Sequence, residues 1–420
     1  MFIKRRVLAE LRDHLDKPEI SLVVGPRQAG KTTLLLKLQE ELERKGEKTV
    51  FFNLDREADR AAFESQEVFL RRIRLELGEG RGFVFVDEIQ RKEDAGWFLK
   101  GVYDSRLPYK LIVSGSGSLE LKEKIKESLA GRKLMFRVNT LSFAEWLGFK
   151  TEWRYEGREE EFFRLEKERA WRWLEEYLVF GGYPRVVLAE SFEEKERLIE
   201  EIFTSYLEKD VRLLLGVRGE EAFVGLVRLL AAVVGRPVKY SRLAGELGAA
   251  AATLRRYLWY LEKTFVVEAV RPFFTNPAKE LRKSPIFYFN DLGLLSFALG
   301  SFGRMLAGQE GFWFQNWFFL VLAEKLRYKG VRVGFWRSKD KAEVDFVLER
   351  GREVVPIEVK YGSWPEGRVS RSLLSFIRRY RPKRAYVVNR DVEGEVRVEG
   401  TRVGVWPYWR WVVTGPEEWF

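Results

Sequence analysis

Over the first 150 residues, short apolar runs alternate with amphipathic stretches. Ile20–Val24, Thr49–Asn53, Phe83–Val86, Lys110–Ser114 and Lys133–Val138 are apolar and short enough for buried strands. The segments between them, such as Thr33–Arg44 and Glu64–Leu77, carry apolar residues at helical spacing. This alternation predicts an α/β domain, a parallel sheet with helices on both faces.

The pattern then becomes helical. Glu159–Phe180 and Phe192–Val211 are charged, apolar-periodic segments separated by the turn Gly181-Gly182-Tyr183-Pro184. Tyr240–Leu247, a turn at Gly248, and Thr253–Thr264 predict a helix-turn-helix with Leu243, Leu247, Leu254, Leu258 and Leu261 facing inward. The β-rich Phe265–Phe274 is a candidate wing. From about residue 309 the pattern predicts a helix at Phe314–Tyr328 and strands at Arg332–Trp336, Glu343–Glu349 and Glu353–Lys360. A helix at Ser370–Tyr380 and a strand at Arg384–Asn389 complete a second, smaller α/β unit. The expected division is 1–150 for the first α/β domain, 151–227 for a helical lid, 228–308 for a winged helix and 309–420 for the last unit.

Composition narrows the chemistry. The 420-residue chain has no cysteine and one histidine, His14. Thiolate catalysis, disulfides and Cys-based zinc sites are therefore excluded, leaving carboxylates, lysines, arginines, hydroxyls and a hard metal such as Mg²⁺. The longest apolar run, Phe312–Ala323, is interrupted by Gln315 and Asn316 and falls short of the roughly 18 residues a membrane span needs. The start, MFIKRRVLAELRD, has no signal-peptide pattern. A cytoplasmic protein without a membrane partner is expected, and the charge-rich, methionine-poor composition suits a thermophile. Net charge is +11 but uneven: −7 over 151–227, +7 over 228–308 and +6 over 309–420. A basic C-terminal half is compatible with a polyanionic partner.

One motif decides the first domain. Gly25-Pro26-Arg27-Gln28-Ala29-Gly30-Lys31-Thr32 fits the P-loop pattern and lies between a strand and a helix, where its backbone N–H groups can cradle phosphates. Lys31 then reaches the β- and γ-phosphates, and Thr32 ligates Mg²⁺, with Thr33 following on the helix. Phe83–Val86 ends in Asp87-Glu88, 56 residues past Lys31. Asp87 is placed to orient Mg²⁺ and Glu88 to position the attacking water. Ser114 or Ser116, ending another strand, offers a hydroxyl to the γ-phosphate or serves as a plain turn residue; sequence does not choose. ATP and Mg²⁺ are the expected cofactors.

The last unit carries Asp345, Glu358 and Lys360 on two strands. With Arg350-Gly351 as the hairpin loop, Glu343 would face Glu358 and Asp345 would lie diagonally from it. Two carboxylates beside a lysine are a metal and water-activation pattern, or else cross-strand ion pairs. On the second helix of the helix-turn-helix, Arg255, Arg256 and Tyr260 point away from the apolar face, toward DNA phosphates or base edges, or toward a docking partner.

The runs GPRQAGKT, FVDEIQ, VSGSGSLEL, LAGRKL and LSFAEW, continued by GGYPR and by EVDFVL with IEVK, resemble the AAA+ ATPases of archaea and bacteria that carry a C-terminal nuclease-like domain. That resemblance implies an AAA+ P-loop domain with Arg132 as an arginine finger to a neighbouring subunit, hence a homo-oligomer. It also implies that the Gly182-Tyr183-Pro184 turn contacts adenine, with Pro184 in the nucleotide site and Arg185 as a sensor. Asp345, Glu358 and Lys360 are similar to the core of PD-(D/E)XK nucleases. Relatives of that class supply a further glutamate from the preceding helix, where this chain has Gln315; Glu324 lies farther along. The expected function is an ATPase coupling ATP binding and hydrolysis to conformational change on DNA. The alternatives are an ATP-dependent signalling or assembly switch with a protein partner, and an ATP-regulated endonuclease.

Overall fold

In a computed structural model of the chain, residues 2–116, 129–206, 220–274, 283–364 and 368–420 are described. The five expected N-terminal strands form: β1 (Ile20–Gly25), β2 (Thr49–Asn53), β3 (Gly82–Asp87), β4 (Tyr109–Ser116) and β5 (Lys133–Arg137). They make one parallel sheet in the order β2-β3-β4-β1-β5. Because strand side chains alternate between faces, the apolar runs feed two cores. Ile20, Leu22, Val84, Val86 and Leu111 pack under the helices Gln66–Leu77 and Ala95–Asp104. Val23, Phe83, Phe85, Ile112 and Phe136 pack on the other face, under Arg6–Asp13 and Lys31–Arg44. Leu34, Leu35 and Leu38 of the latter helix are fully buried, each worth about 2 kcal/mol of transfer free energy.

The acidic helical region differs in one respect from the pattern. Glu159–Phe180 is two helices, Glu159–Leu165 and Lys167–Phe180, broken at Glu166, whose φ of −107° and ψ of 40° leave the helical region. Lys167–Phe180 stops at Gly181, whose φ of +72° suits glycine. Of the expected Phe192–Val211 helix, Phe192–Tyr206 is helical and the remainder lies outside the described residues.

The helix-turn-helix appears as Tyr240–Glu246 and Ala251–Lys263, with Leu243, Leu254, Leu258 and Leu261 buried and Leu247 half-buried. The wing strand β6 (Val267–Pro272) pairs antiparallel with β7 (Ile286–Phe289), to which Pro237 adds a bridge. The far end of β6 also pairs with β8 (Arg332–Arg337), so wing and C-terminal unit share one eight-stranded sheet. Its order is β12-β13-β11-β10-β9-β8-β6-β7, with β9 (Glu343–Arg350), β10 (Glu353–Val359), β11 (Arg384–Asn389), β12 (Gly394–Val398) and β13 (Thr401–Pro407). Across one face lies the helix Glu310–Lys325, where Asn316 accepts from Phe289 N–H and donates to its carbonyl, both at 2.8 Å. Those bonds satisfy a buried amide that the sequence pattern marks only as an interruption.

The two halves meet along β5, the edge of the first sheet. Tyr328 donates to the Met135 carbonyl at 2.8 Å and Arg327 to the Arg137 carbonyl at 2.9 Å. Arg137 in turn holds Glu268 of β6 at 3.2 Å. Unpaired groups of an edge strand are thus partnered by the C-terminal half.

Candidate nucleotide site and the acidic cluster of the C-terminal sheet

The P-loop leaves β1 at Gly25, where a Cβ would lie 1.9 Å from the Val138 carbonyl oxygen, so the close approach of these segments requires glycine. Gly30, at φ +91°, turns the chain into the Lys31–Arg44 helix. Lys31 is buried and its Nζ donates to the carbonyls of Gly25 and Pro26 at 3.1 and 2.8 Å. The ammonium thereby caps the loop at the sheet's C-terminal edge.

β3 delivers the acidic pair to the same edge. Thr32 Oγ1 donates to Asp87 Oδ2 at 2.6 Å, and Ser114 Oγ donates to Asp87 Oδ1. Asp87 is 1 % exposed, and each of its two oxygens accepts from one of these hydroxyls. Glu88 sits at φ +55°, which swings its carboxylate out of the strand line, and Gln90 Nε2 donates to it. Burial pushes the Glu88 carboxyl above the usual range, opposed by Lys31 and helped by Asp87. Thr32 and Asp87 converge as a hydroxyl and a carboxylate that fit Mg²⁺, the phosphates of a nucleotide supplying further oxygens. Ser114 contacts Asp87; the Ser116 side chain lies outside the described residues, so this contact does not decide between the two serines.

Three contacts bind this loop to distant segments, and the one from Arg5 has no counterpart in any motif or pattern of the sequence. Arg5, 8 % exposed, donates to the Ala29 carbonyl at 2.9 Å and to the Asn139 carbonyl, and pairs with Glu145 at 3.1 Å. Glu145 also closes a capping box with Ser142 and accepts from Arg6 N–H at 2.8 Å. Arg185 donates to Gln28 of the P-loop at 2.9 Å while pairing with Glu201 at 2.6 Å. Pro184 lies close enough that a Cβ on Gly30 would be 3.8 Å from its Cγ. The Gly182 turn is pinned by Leu141 N–H to the Gly182 carbonyl (2.7 Å) and by Gly182 N–H to Asp291 (2.9 Å). Contacts across more than a hundred residues leave no periodicity or motif, so Arg5 and Asp291 carry no sequence signal of this role. Arg27 and Thr33 occupy the loop and the exposed first turn of the helix.

Arg132 precedes β5 at the opposite edge of the sheet, since Lys133 pairs with Ile20 at the start of β1. It is held by Asp104 at 2.8 and 3.3 Å and faces a cleft of about 980 Å³ between the strand starts and the Ala95–Asp104 helix. Its own P-loop is beyond its reach.

In the C-terminal sheet the hairpin turn is Gly351-Arg352, closed by Arg350 opposite Glu353. The register therefore differs by two residues from the one expected with Arg350-Gly351 in the loop, because Gly351, at φ +61°, takes the turn's first central position. Val354 faces Glu349, Ile357 faces Phe346, and continuing that register sets Glu358 opposite Asp345. Glu343 pairs instead with Arg337 of β8. Asp345 accepts from Val359 N–H at 2.7 Å and from Gln315 Nε2 at 3.1 Å. Glu358, 4 % exposed, accepts from Ser370 Oγ at 2.6 Å and pairs with Lys360 at 2.8 Å. Burial raises the Asp345 carboxyl to about 7, against the Val359 N–H and Lys360, with Glu358 adding to the rise. Gln315 thus stands at the cluster, whereas Glu324 pairs with Arg6 at 3.4 Å and does not take its place. Among the described residues no group of three acidic or histidine side chains is placed to hold a metal. Arg255 and Arg256 are exposed on the Ala251–Lys263 helix, with Tyr260 half-buried beside them.

A five-stranded parallel sheet with a P-loop after β1 and an acidic end on β3 is the fold of AAA+ ATPases, and residues 17–147 match the family described as AAA domain. Residues 172–304 and 310–411 match two domains of unknown function, DUF8612 and DUF4143. The chain belongs to the same family as the uncharacterised protein Rv2008c of Mycobacterium tuberculosis, 30% identical over 386 residues, spanning 89% of this chain and 77% of that protein. It is also similar to an uncharacterised protein of Haemophilus influenzae (25% identity; 86% and 87% covered) and to MJ1544 of Methanocaldococcus jannaschii (24%; 79% and 72%). Among solved structures it is similar to the ORC1 protein of Aeropyrum pernix in complex with DNA (15% identity, 70% and 91% covered, TM-score 0.31). A second is AMPPCP-bound DnaA from Aquifex aeolicus (14%, 62% and 90%, TM-score 0.31). At these TM-scores the overlaps carry no inference. No helix among the described residues is long and apolar enough to cross a membrane.

Proposed function

We propose that the protein hydrolyses ATP at the P-loop and uses the cycle to rearrange a C-terminal half that engages DNA. The observation that carries this reading is the convergence of Thr32 on Asp87 at 2.6 Å beside the P-loop lysine. In it, loop N–H groups and Lys31 bind the phosphates, Thr32 and Asp87 hold Mg²⁺, and Glu88 orients water toward the γ-phosphate. Mg²⁺, when bound, supplies charge neutralisation at the phosphates. Glu88, its proton affinity raised by burial, is suited to accept a proton from that water. The P-loop's bonds to Arg5 and Arg185 offer a route by which phosphate occupancy alters the Gly182 turn, whose partner Asp291 belongs to the segment after β7. Arg132 would complete a neighbouring subunit's site in a homo-oligomer. Exposed Arg255 and Arg256, on a helix in a region of net charge +7, support DNA as the partner.

In this reading the Asp345 cluster contributes little cleavage. Asp345 already accepts two hydrogen bonds and holds its proton to about pH 7, and Gln315 brings a neutral amide where a third carboxylate would strengthen metal binding. The test is steady-state ATP turnover of the full chain with and without duplex, branched and single-stranded DNA. Stimulation by at least one DNA is expected. Turnover indifferent to every nucleic acid would favour the assembly-switch reading, and no turnover at all would remove the ATPase assignment.

A further inference from the structure

The short helix Pro184–Leu188 is fixed against the P-loop at its start. A Cβ on Gly182 would stand 2.2 Å from the Leu141 carbonyl oxygen, so backbone meets backbone there, and Pro184 packs beside Gly30. Arg185 is therefore anchored through its main chain while its side chain reaches back to the loop. Its Nη1 donates to Gln28 Oε1 at 2.9 Å, and Gln28 itself stands at φ +59° in the loop. This guanidinium is held at the P-loop without being part of it.

Glu201 takes the same guanidinium from the other side. Arg185 Nη1 donates to its Oε1 at 2.6 Å and Nη2 to its Oε2 at 3.1 Å, a two-pronged pairing that engages both carboxylate oxygens. Glu201 lies on the helix Phe192–Tyr206, whose buried face is Ile199, Ile202, Phe203 and Tyr206, and it stands off that face. The two side chains are 49 and 51 % exposed, so the pair adds little to stability and is easily exchanged for a stronger one. A carboxylate this close to a phosphate cradle repels an incoming anion unless a cation screens it, and here the screening cation is Arg185.

We propose that Glu201 is a specificity-determining residue of the nucleotide site, competing with the γ-phosphate for Arg185. The inference rests on the ATP reading of the P-loop given above. Loop N–H groups enclose the inner phosphates, so the oxygens left to a group approaching from outside the loop are those of the γ-phosphate. That phosphate carries more charge than a carboxylate and offers a guanidinium the same two-pronged geometry, so it draws Arg185 away from Glu201. ADP has no such group and leaves the Arg185–Glu201 pair closed. Glu201 thus lowers the affinity for the triphosphate alone and narrows the preference for ATP over ADP.

The experiment titrates the full chain with AMPPNP and, separately, ADP by calorimetry in the presence of Mg²⁺. Glu201→Gln keeps the size of the side chain and removes its charge. AMPPNP affinity should rise about two- to fivefold, the strength of an exposed ion pair, while ADP affinity stays where it was. Arg185→Ala should weaken AMPPNP, and adding Glu201→Gln to it should restore nothing. Both residues are half in solvent, so the variants should keep the wild-type Tm. An equal gain for ADP, or a gain that persists without Arg185, would make Glu201 merely a nearby negative charge and overturn the inference. A fall in AMPPNP affinity in Glu201→Gln would overturn it too, since the carboxylate would then be presenting Arg185 rather than competing for it. Unchanged affinity in Glu201→Gln, with Lys31→Ala abolishing binding, would also sink it and leave the P-loop reading intact. A wild type that binds neither nucleotide would overturn both.

Discussion

The molecule holds two pairs of carboxylates, each near a lysine, and they are treated differently by their surroundings. At the P-loop, Asp87 is held by the side-chain hydroxyls of Thr32 and Ser114, and Glu88 stands off the strand line at a left-handed backbone position. At the C-terminal sheet, Asp345 is held by a backbone N–H of the neighbouring strand and by the Gln315 amide, while Glu358 is shared between Ser370 and Lys360. Hydroxyls can rotate to serve a metal as ligands; a ladder-like N–H cannot. A strand-to-loop position therefore leaves carboxylates available for chemistry, and a position opposite its partner within a hairpin ties them into the fold.

The largest effects are expected at the first pair. Lys31→Ala should remove the ammonium that the loop carbonyls hold for phosphate and reduce nucleotide affinity by at least tenfold, read by titration with a fluorescent ATP analogue. Glu88→Gln should leave that affinity nearly intact, since Thr32 and Asp87 remain, yet lower turnover by roughly 10²-fold or more. Normal turnover in Glu88→Gln would erase the distinction between the two pairs.

Much of this contrast was legible in the sequence, and the part that was not has a clear cause. The P-loop and the strand ending in Asp87-Glu88 are local patterns: a glycine-rich turn after one apolar run, acids closing another. All five strands followed from apolar runs alone, because a parallel sheet buried on both faces demands them. The cluster at Asp345 was found as a set of residues, but its register depended on which two residues make the turn. Arg350-Gly351 and Gly351-Arg352 differ by one position and shift the pairing by two. The continuation of the wing into the C-terminal sheet was not legible either, since β6 pairs with β8 across some sixty residues, at Arg271 and Pro272. Arg5 and Asp291 act through contacts with residues far away in the chain, which patterning does not encode.

A smaller effect is expected on the basic surface that would distinguish a DNA-acting half from a docking platform. Arg255→Ala with Arg256→Ala removes two exposed cations without touching the buried Leu254 and Leu258 beside them. If both meet phosphates, DNA affinity should fall roughly tenfold near physiological salt, and the slope of log affinity against log salt should flatten by about 2. Unchanged affinity and slope would move DNA contact elsewhere, or remove it.

The smallest expected effect tests the second pair by stability. Burial holds the folded Asp345 carboxyl at about 7, against an ordinary value of 3.8. The folded protein therefore binds this proton more tightly than the unfolded chain does. Its contribution is fully present below about pH 4 and is lost as pH rises through 7. Asp345→Asn removes the ionisation while keeping a carbonyl oxygen for the Val359 N–H, and an amide can still meet Gln315 after a flip of either side chain. The variant should match the wild type near pH 4 and exceed it at pH 8. The carboxyl keeps some solvent access, which limits the gain to about 1–2 kcal/mol, a few degrees in Tm at most. Thermal unfolding at pH 4, 6 and 8 reads this directly. A variant less stable than wild type at pH 8 would mean that the ionised carboxylate is favoured in the fold, and the contrast between the two pairs would have to be drawn from their hydrogen bonds alone.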